Sequence, residues 1–134
     1  MIWRIRQILG VGFYRAWLGS GPDPWEFWEH IRDHSVHIHV KDATWNASKN
    51  DADYNWPGEG EGRVRDILED ALARGYDAGI SIEPHMVVVF HDAHSKSTNE
   101  EAMQKNYVEY GQRLEKMIQE LQKKTTKPLA AELT

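Results

Sequence analysis

The chain contains no cysteine, which excludes disulfide bonds and thiolate metal ligands and fits a reducing compartment. It has no run approaching the ~18 consecutive apolar residues of a membrane span, so no membrane partner is expected. Concentrated positive charge is missing too. There are 16 Lys and Arg against 21 Asp and Glu, a net charge of -5, and the basic residues that lie near one another (Arg4, Arg6 and Arg15; Lys123, Lys124 and Lys127) sit at the two ends. A nucleic-acid partner is therefore not expected, because phosphate binding calls for a basic surface. The start of the chain carries only a faint leader pattern: Arg4 and Arg6 precede Ile8 to Phe13, but Arg15 cuts the apolar run short. The expected location is cytoplasmic.

What is abundant is histidine. Six of the seven fall in or beside two short segments and the loop after the second. In the first, Ser35 to Ala43, the aliphatics Val36, Ile38 and Val40 alternate with Ser35, His37, His39 and Lys41, and Asp42 follows. A β-strand here puts aliphatics on one face and two imidazoles and an ammonium on the other. The second segment, Gly79 to His85, repeats the design, with Ile80 and Ile82 opposed to Ser81, Glu83 and His85. Buried polar groups must be paired or coordinated, so these faces are expected to line water or a site.

At 134 residues the chain fits one domain with its own core. A strand is expected around Leu9 to Tyr14, followed by a loop from Gly19 to Pro22. Asp23-Pro24-Trp25-Glu26 is a helix start, with Asp as N-cap and Pro at the first helical position. That helix should run to about Asp33 and bury Phe27, Trp28 and Ile31. Thr44 to Tyr54 and the glycine-rich Trp56 to Gly62 read as a long polar loop, either a lid or a mobile surface connection. Val64, Ile67, Leu68, Ala71 and Leu72 form the apolar stripe of a second helix, which Gly75 ends. A capping box at Thr98 to Glu101 opens a third helix, with Met103, Tyr107, Tyr110, Leu114, Met117 and Leu121 on one side. Its end, residues 124–134, is expected to fray.

The alternation of about three strands with three helices predicts an α/β fold with a parallel sheet. Ligands of such sheets gather beyond the carboxyl ends of the strands, where His39, Lys41, Asp42, Glu83 and His85 fall. Strands covered on both sides read as continuous apolar runs. These do not, so their polar face is expected to look into a barrel interior or a crevice.

HIHVKDA, WPGEGEG and RGYDAGISIEPH, in this order and closed by a helix containing NYVEYG, resemble the carboxyl-terminal part of the sugar phosphate isomerase/epimerase superfamily, the xylose-isomerase-like TIM barrels. The resemblance spans roughly Asp23 to Leu121 and implies a partial TIM-barrel-like unit. In that family a divalent metal is held by a Glu, an Asp, a His and a second Glu. The resemblance implies His39 and Glu83 as metal ligands, with Glu83 also the catalytic acid/base. It implies His37, Lys41, Asp42 and His85 as substrate-binding groups and the Pro57 to Gly62 loop as a cover. The implied cofactor is Mn²⁺, Mg²⁺, Co²⁺ or Zn²⁺, the partner a small sugar, sugar phosphate or polyol, and the chemistry proton transfer through an enediolate. Dehydration of an inositol-like ketone is a close variant. No role is expected for His30, His34, His91 or His94.

The chain also departs from the family. A full barrel takes about 250 residues and eight strands. The family's aspartate would fall near Val11 to Tyr14, where the sequence reads VGFY, and the half that would carry the first glutamate is absent. Three explanations follow: a piece of a longer enzyme, assembly of copies into a homo-oligomer that closes open sheet edges, or a non-catalytic barrel remnant acting as an oligomerising or binding domain.

Overall fold

The computed structural model describes residues 5–9, 23–84 and 96–125. These form β1 (Ile5–Leu9), α1 (Pro24–Ile31), a 3₁₀ turn (Arg32–His34), β2 (Ser35–Val40), β3 (Asp42–Asn46), β4 (Asp51–Asn55), α2 (Val64–Ala73), β5 (Gly79–Ile82) and α3 (Lys96–Thr125). The fold is α/β with two small sheets: a parallel sheet in the order β1-β2-β5 and the antiparallel pair β3-β4. Among the described residues the parallel sheet does not close into a barrel. None of the described helices is long and apolar enough to cross a membrane.

The helix signals act locally as their chemistry dictates. Asp23 accepts a hydrogen bond from the Trp25 backbone N–H at 2.7 Å, and Pro24 occupies the first turn of α1, where a missing N–H costs nothing. Gly75 ends α2 at φ 81°, a left-handed conformation that penalises any side chain. Inside α1 only part of the expected face is buried: Trp28 is in the core, Ile31 packs at its border, and Phe27 is exposed. The helix is only about two turns long, and Trp28 is its one fully buried large side chain. Its indole N–H donates to Asp70 of α2 at 2.8 Å, and Arg32 reaches the same carboxylate.

The core lies on the aliphatic face of β2. Ile38 and Val40 are fully buried against Val64, Ile67, Leu68 and Ala71 of α2 and Tyr110, Leu114, Met117 and Leu121 of α3. Each Val, Ile, Leu and Met among them contributes about 1.5–3 kcal/mol by leaving water. The stripe expected on α3 is buried only from Tyr110 onward, while Met103, Tyr107 and Val108 are exposed. The helix also begins at Lys96, ahead of the expected capping box.

Two further expectations need correction. The polar stretch after Asp42 is not a loop but the β3-β4 hairpin, in register Asp42↔Asn55 to Asn46↔Asp51. Asp and Asn are poor strand formers, and side chains compensate: Thr44 donates to Asn55 at 2.9 Å and Asn46 to Asp53 at 2.6 Å. The first strand lies at Ile5–Leu9, ahead of the expected position. Residues 10–14, the tail beyond Thr125, His85, His91 and His94 lie outside the described residues.

Ile67→Ala should lower stability by about 2–5 kcal/mol, because its fully buried side chain has no room to be replaced by water or neighbours. Urea denaturation would measure it, and a loss below about 1 kcal/mol would place Ile67 outside the core.

Candidate functional site at the carboxyl ends of β2 and β5

Parallel pairing places His37 beside Gly79, His39 beside Ser81 and Val40 beside Ile82. It continues one step further, since the Glu83 N–H donates to the Val40 carbonyl at 3.1 Å. Side chains alternate along a strand, so His37, His39 and Lys41 share a face with Gly79, Ser81 and Glu83. The opposite face is the buried aliphatic one. Pattern and register together therefore build one polar strip across two strands.

Within it, His37 Nε2 lies 2.8 Å and His39 Nδ1 2.9 Å from the Ser81 hydroxyl. His39 Nε2 lies 3.0 Å from Glu83 Oε2, and Lys41 Nζ lies 3.8 Å from the same oxygen. The Lys41 ammonium also sits 5.5 Å above the Tyr54 ring, brought in by β4. Burial pulls the Lys41 amine below its ordinary value, with the Glu83 charge opposing. Burial, then the Asp51 and Glu83 charges, pushes the Tyr54 phenol up.

His39 Nε2 has an unusual position. It is buried and close to Glu83, yet it makes no hydrogen bond, because the carboxylate oxygen is off the line along which a ring N–H would point. A nitrogen and an oxygen on adjacent corners of one small cation, each at about 2.1 Å and at a right angle, stand about 3.0 Å apart. The pair therefore fits two neighbouring ligands of a divalent ion. Among the described residues no third His, Asp or Glu completes a metal-binding group.

Of the residues singled out in the sequence, His39, Lys41 and Glu83 come together. Two others are placed differently. His37 sits behind His39, its Nε2 against Ser81 rather than presented to a substrate. Asp42 is an anchor: it is 2% exposed, and its carboxylate accepts backbone N–H groups from Ala43 and Gly62 on Oδ1 and from Gly58 and Gly60 on Oδ2, at 2.8–3.0 Å. Burial holds this carboxyl above the usual carboxylate range while the backbone donors pull the other way. The glycine-rich stretch is thus folded around an anion of the protein itself. A Cβ at position 60 would stand 2.4 Å from Asp42 Oδ1, so glycine is required there.

Sequence reasoning assigned no role to Ser81 or Tyr54. Ser81 stood on the polar side of the strand pattern; Tyr54 was hidden in a segment taken for a loop. Glu83, His39 and Ser81 also follow one another like a hydrolase relay, but the strand argues against a nucleophile. The Glu83 N–H points to β2, so the Ser81 N–H two residues earlier does as well, and neither of these two donors faces a developing oxyanion. No protein-family model, curated protein or solved structure matches this chain.

Asp42→Asn should destabilise the protein by about 1–3 kcal/mol, since either orientation of the amide turns its NH₂ toward two backbone donors. Amide hydrogen exchange at Gly58, Gly60 and Gly62 should quicken together. Unchanged exchange at all three would show that the carboxylate does not hold the loop.

Proposed function

We propose that this chain supplies the His39–Glu83 half of a divalent-metal site in an isomerase or epimerase that moves a proton on a sugar, sugar phosphate or polyol. The observation that carries the reading is the buried His39 Nε2, 3.0 Å from Glu83 Oε2 without a hydrogen bond to it, at the carboxyl ends of adjacent parallel strands. The sequential order β1-β2-β5 supports a (β/α) unit of the xylose-isomerase-like kind, with remaining ligands contributed from outside the described residues.

In this reading a divalent ion between His39 and Glu83 would polarise a substrate carbonyl. Glu83 would take the proton from the hydroxyl-bearing carbon beside that carbonyl, leaving an enediolate. Its return to the former carbonyl carbon, with the hydroxyl proton passing from one oxygen to the other, would isomerise the sugar; delivery of a proton to the opposite face of the original carbon by a second acid would epimerise it. The Lys41 ammonium lies 3.8 Å from the Glu83 carboxylate that would start the cycle. Lys41 and the Tyr54 hydroxyl then offer hydrogen bonds to substrate oxygens.

Calorimetric titration with Mn²⁺, Mg²⁺, Co²⁺ and Zn²⁺ tests the reading. Binding of at least one ion should weaken about tenfold or more in His39→Ala and in Glu83→Ala. No binding, or binding indifferent to both changes, removes it.

A second reading, a non-catalytic barrel remnant that associates with copies of itself, is favoured by the exposed Met103, Tyr107 and Val108 on the first half of α3. Light scattering should then report dimers or larger species, which Val108→Glu should disperse. A monodisperse monomer at high concentration would exclude it.

A further inference from the structure

We infer that Ser81 and His37 are positioning residues that hold His39 in the tautomer protonated on Nδ1, so that Nε2 keeps a lone pair for a cation shared with Glu83. The inference deepens the metal reading above and rests on it.

A serine hydroxyl has one proton to donate and two lone pairs to accept with. Ser81 Oγ touches two imidazoles, His37 Nε2 at 2.8 Å and His39 Nδ1 at 2.9 Å. With both rings neutral, only one of them can accept the hydroxyl proton, so at least one donates to the oxygen. The arrangements divide by the part His39 plays. If His37 alone donates, Ser81 donates to His39 Nδ1, and His39 carries its proton on Nε2. That N–H would be buried, with Glu83 Oε2 near but off its line, and it would leave no lone pair there for a cation. If instead His39 Nδ1–H donates to Ser81, the hydroxyl donates to His37 Nε2 or accepts from it as well, and His39 Nε2 is bare. A cation between Nε2 and Oε2 then relieves the close approach of two lone pairs. Only this second arrangement is compatible with a metal on Nε2.

The support is built into the strands. His37 reaches Ser81 only because its partner in the register is a glycine: a Cβ at position 79 would stand 2.8 Å from His37 Nδ1 and 3.0 Å from Cε1. Nothing about the backbone demands glycine at this extended position. The missing side chain is the space in which the His37 ring lies across the neighbouring strand. Gly79, His37 and Ser81 together thus form a backing for one nitrogen of His39.

The test is long-range ¹H–¹⁵N correlation of the histidine rings, without and with Zn²⁺, combined with Zn²⁺ titration. In the wild-type protein His39 should be the Nδ1–H tautomer, and Zn²⁺ should shift Nε2 alone. Ser81→Ala should mix the His39 tautomers and weaken Zn²⁺ about 10–100-fold. Ser81→Thr, which keeps the hydroxyl, should restore both. Gly79→Ala, which displaces the His37 ring, should move both readouts in the direction of Ser81→Ala and guards against a Ser81→Ala protein that fails to fold. An Nε2–H tautomer in the wild type, or tautomer and affinity unchanged in Ser81→Ala and Gly79→Ala, would overturn the inference while leaving metal binding by His39 and Glu83 standing. Should the wild type bind no metal, the functional reading fails, and the tautomer in the metal-free protein decides the relay by itself.

Discussion

The pairing of β2 with β5 is the constraint on which the rest depends. With His39 opposite Ser81 and Glu83 bonded back to Val40, one face of both strands is aliphatic and the other carries every group of the candidate site. A slip of one residue in either strand would exchange its faces, burying imidazoles under α2 and α3 and exposing isoleucines to the polar side. Ile38 and Val40, fully buried against those helices, make that exchange prohibitive. The hydrophobic core thereby sets the register, and the register assembles the chemistry.

The end of β2 shows how two adjacent residues divide the work. Lys41 continues the polar face and meets Glu83. Asp42, the next residue, opens β3 and collects backbone donors from Ala43, Gly58, Gly60 and Gly62. The hairpin and the glycine-rich turn are both tied to this one carboxylate. From the other side Arg113 of α3 lies 4.3 Å over the Trp56 ring and bonds Glu59 at 3.0 Å. The turn is accordingly held to the sheet through Asp42 and to the last helix through Arg113, which makes it a fixed rim rather than a free flap.

The helices and both loaded strands were legible in the sequence because their signals are local: period-2 alternation at Val36 to Lys41, the Asp23-Pro24 start, the stripe from Val64 to Leu72. So was the nearness of His39 to Glu83, given a parallel sheet. What escaped depended on contacts far apart in the chain. The β3-β4 hairpin is assembled from residues such as Asp51 and Asn55 that disfavour strands singly and succeed through cross-strand bonds. Asp42 looked like a substrate-binding group because its acceptors were counted without its donors, three of which lie on glycines in a distant turn. Phe27 and Tyr107 fitted helical stripes, but a stripe says which residues share a side, not how far a neighbouring element extends to cover them.

Charge bears on how the half-site would be completed. Glu83 and Lys41 neutralise one another, and a metal-ligating His39 is neutral, so the described cluster carries no net negative charge to receive a dication. An ammonium some 4–6 Å from such an ion would oppose it by about 6–8 kcal/mol at an effective dielectric of about 20. Burial lowers the Lys41 amine below its ordinary value while the Glu83 charge opposes the shift. Tight binding therefore needs further carboxylates facing His39 and Glu83 from outside the described residues, whether from more of the same polypeptide or from a second copy. Four ligands that included two more acids would change the sign of the balance, so the proposed metal reading requires His39 and Glu83 to be only part of a larger ligand set.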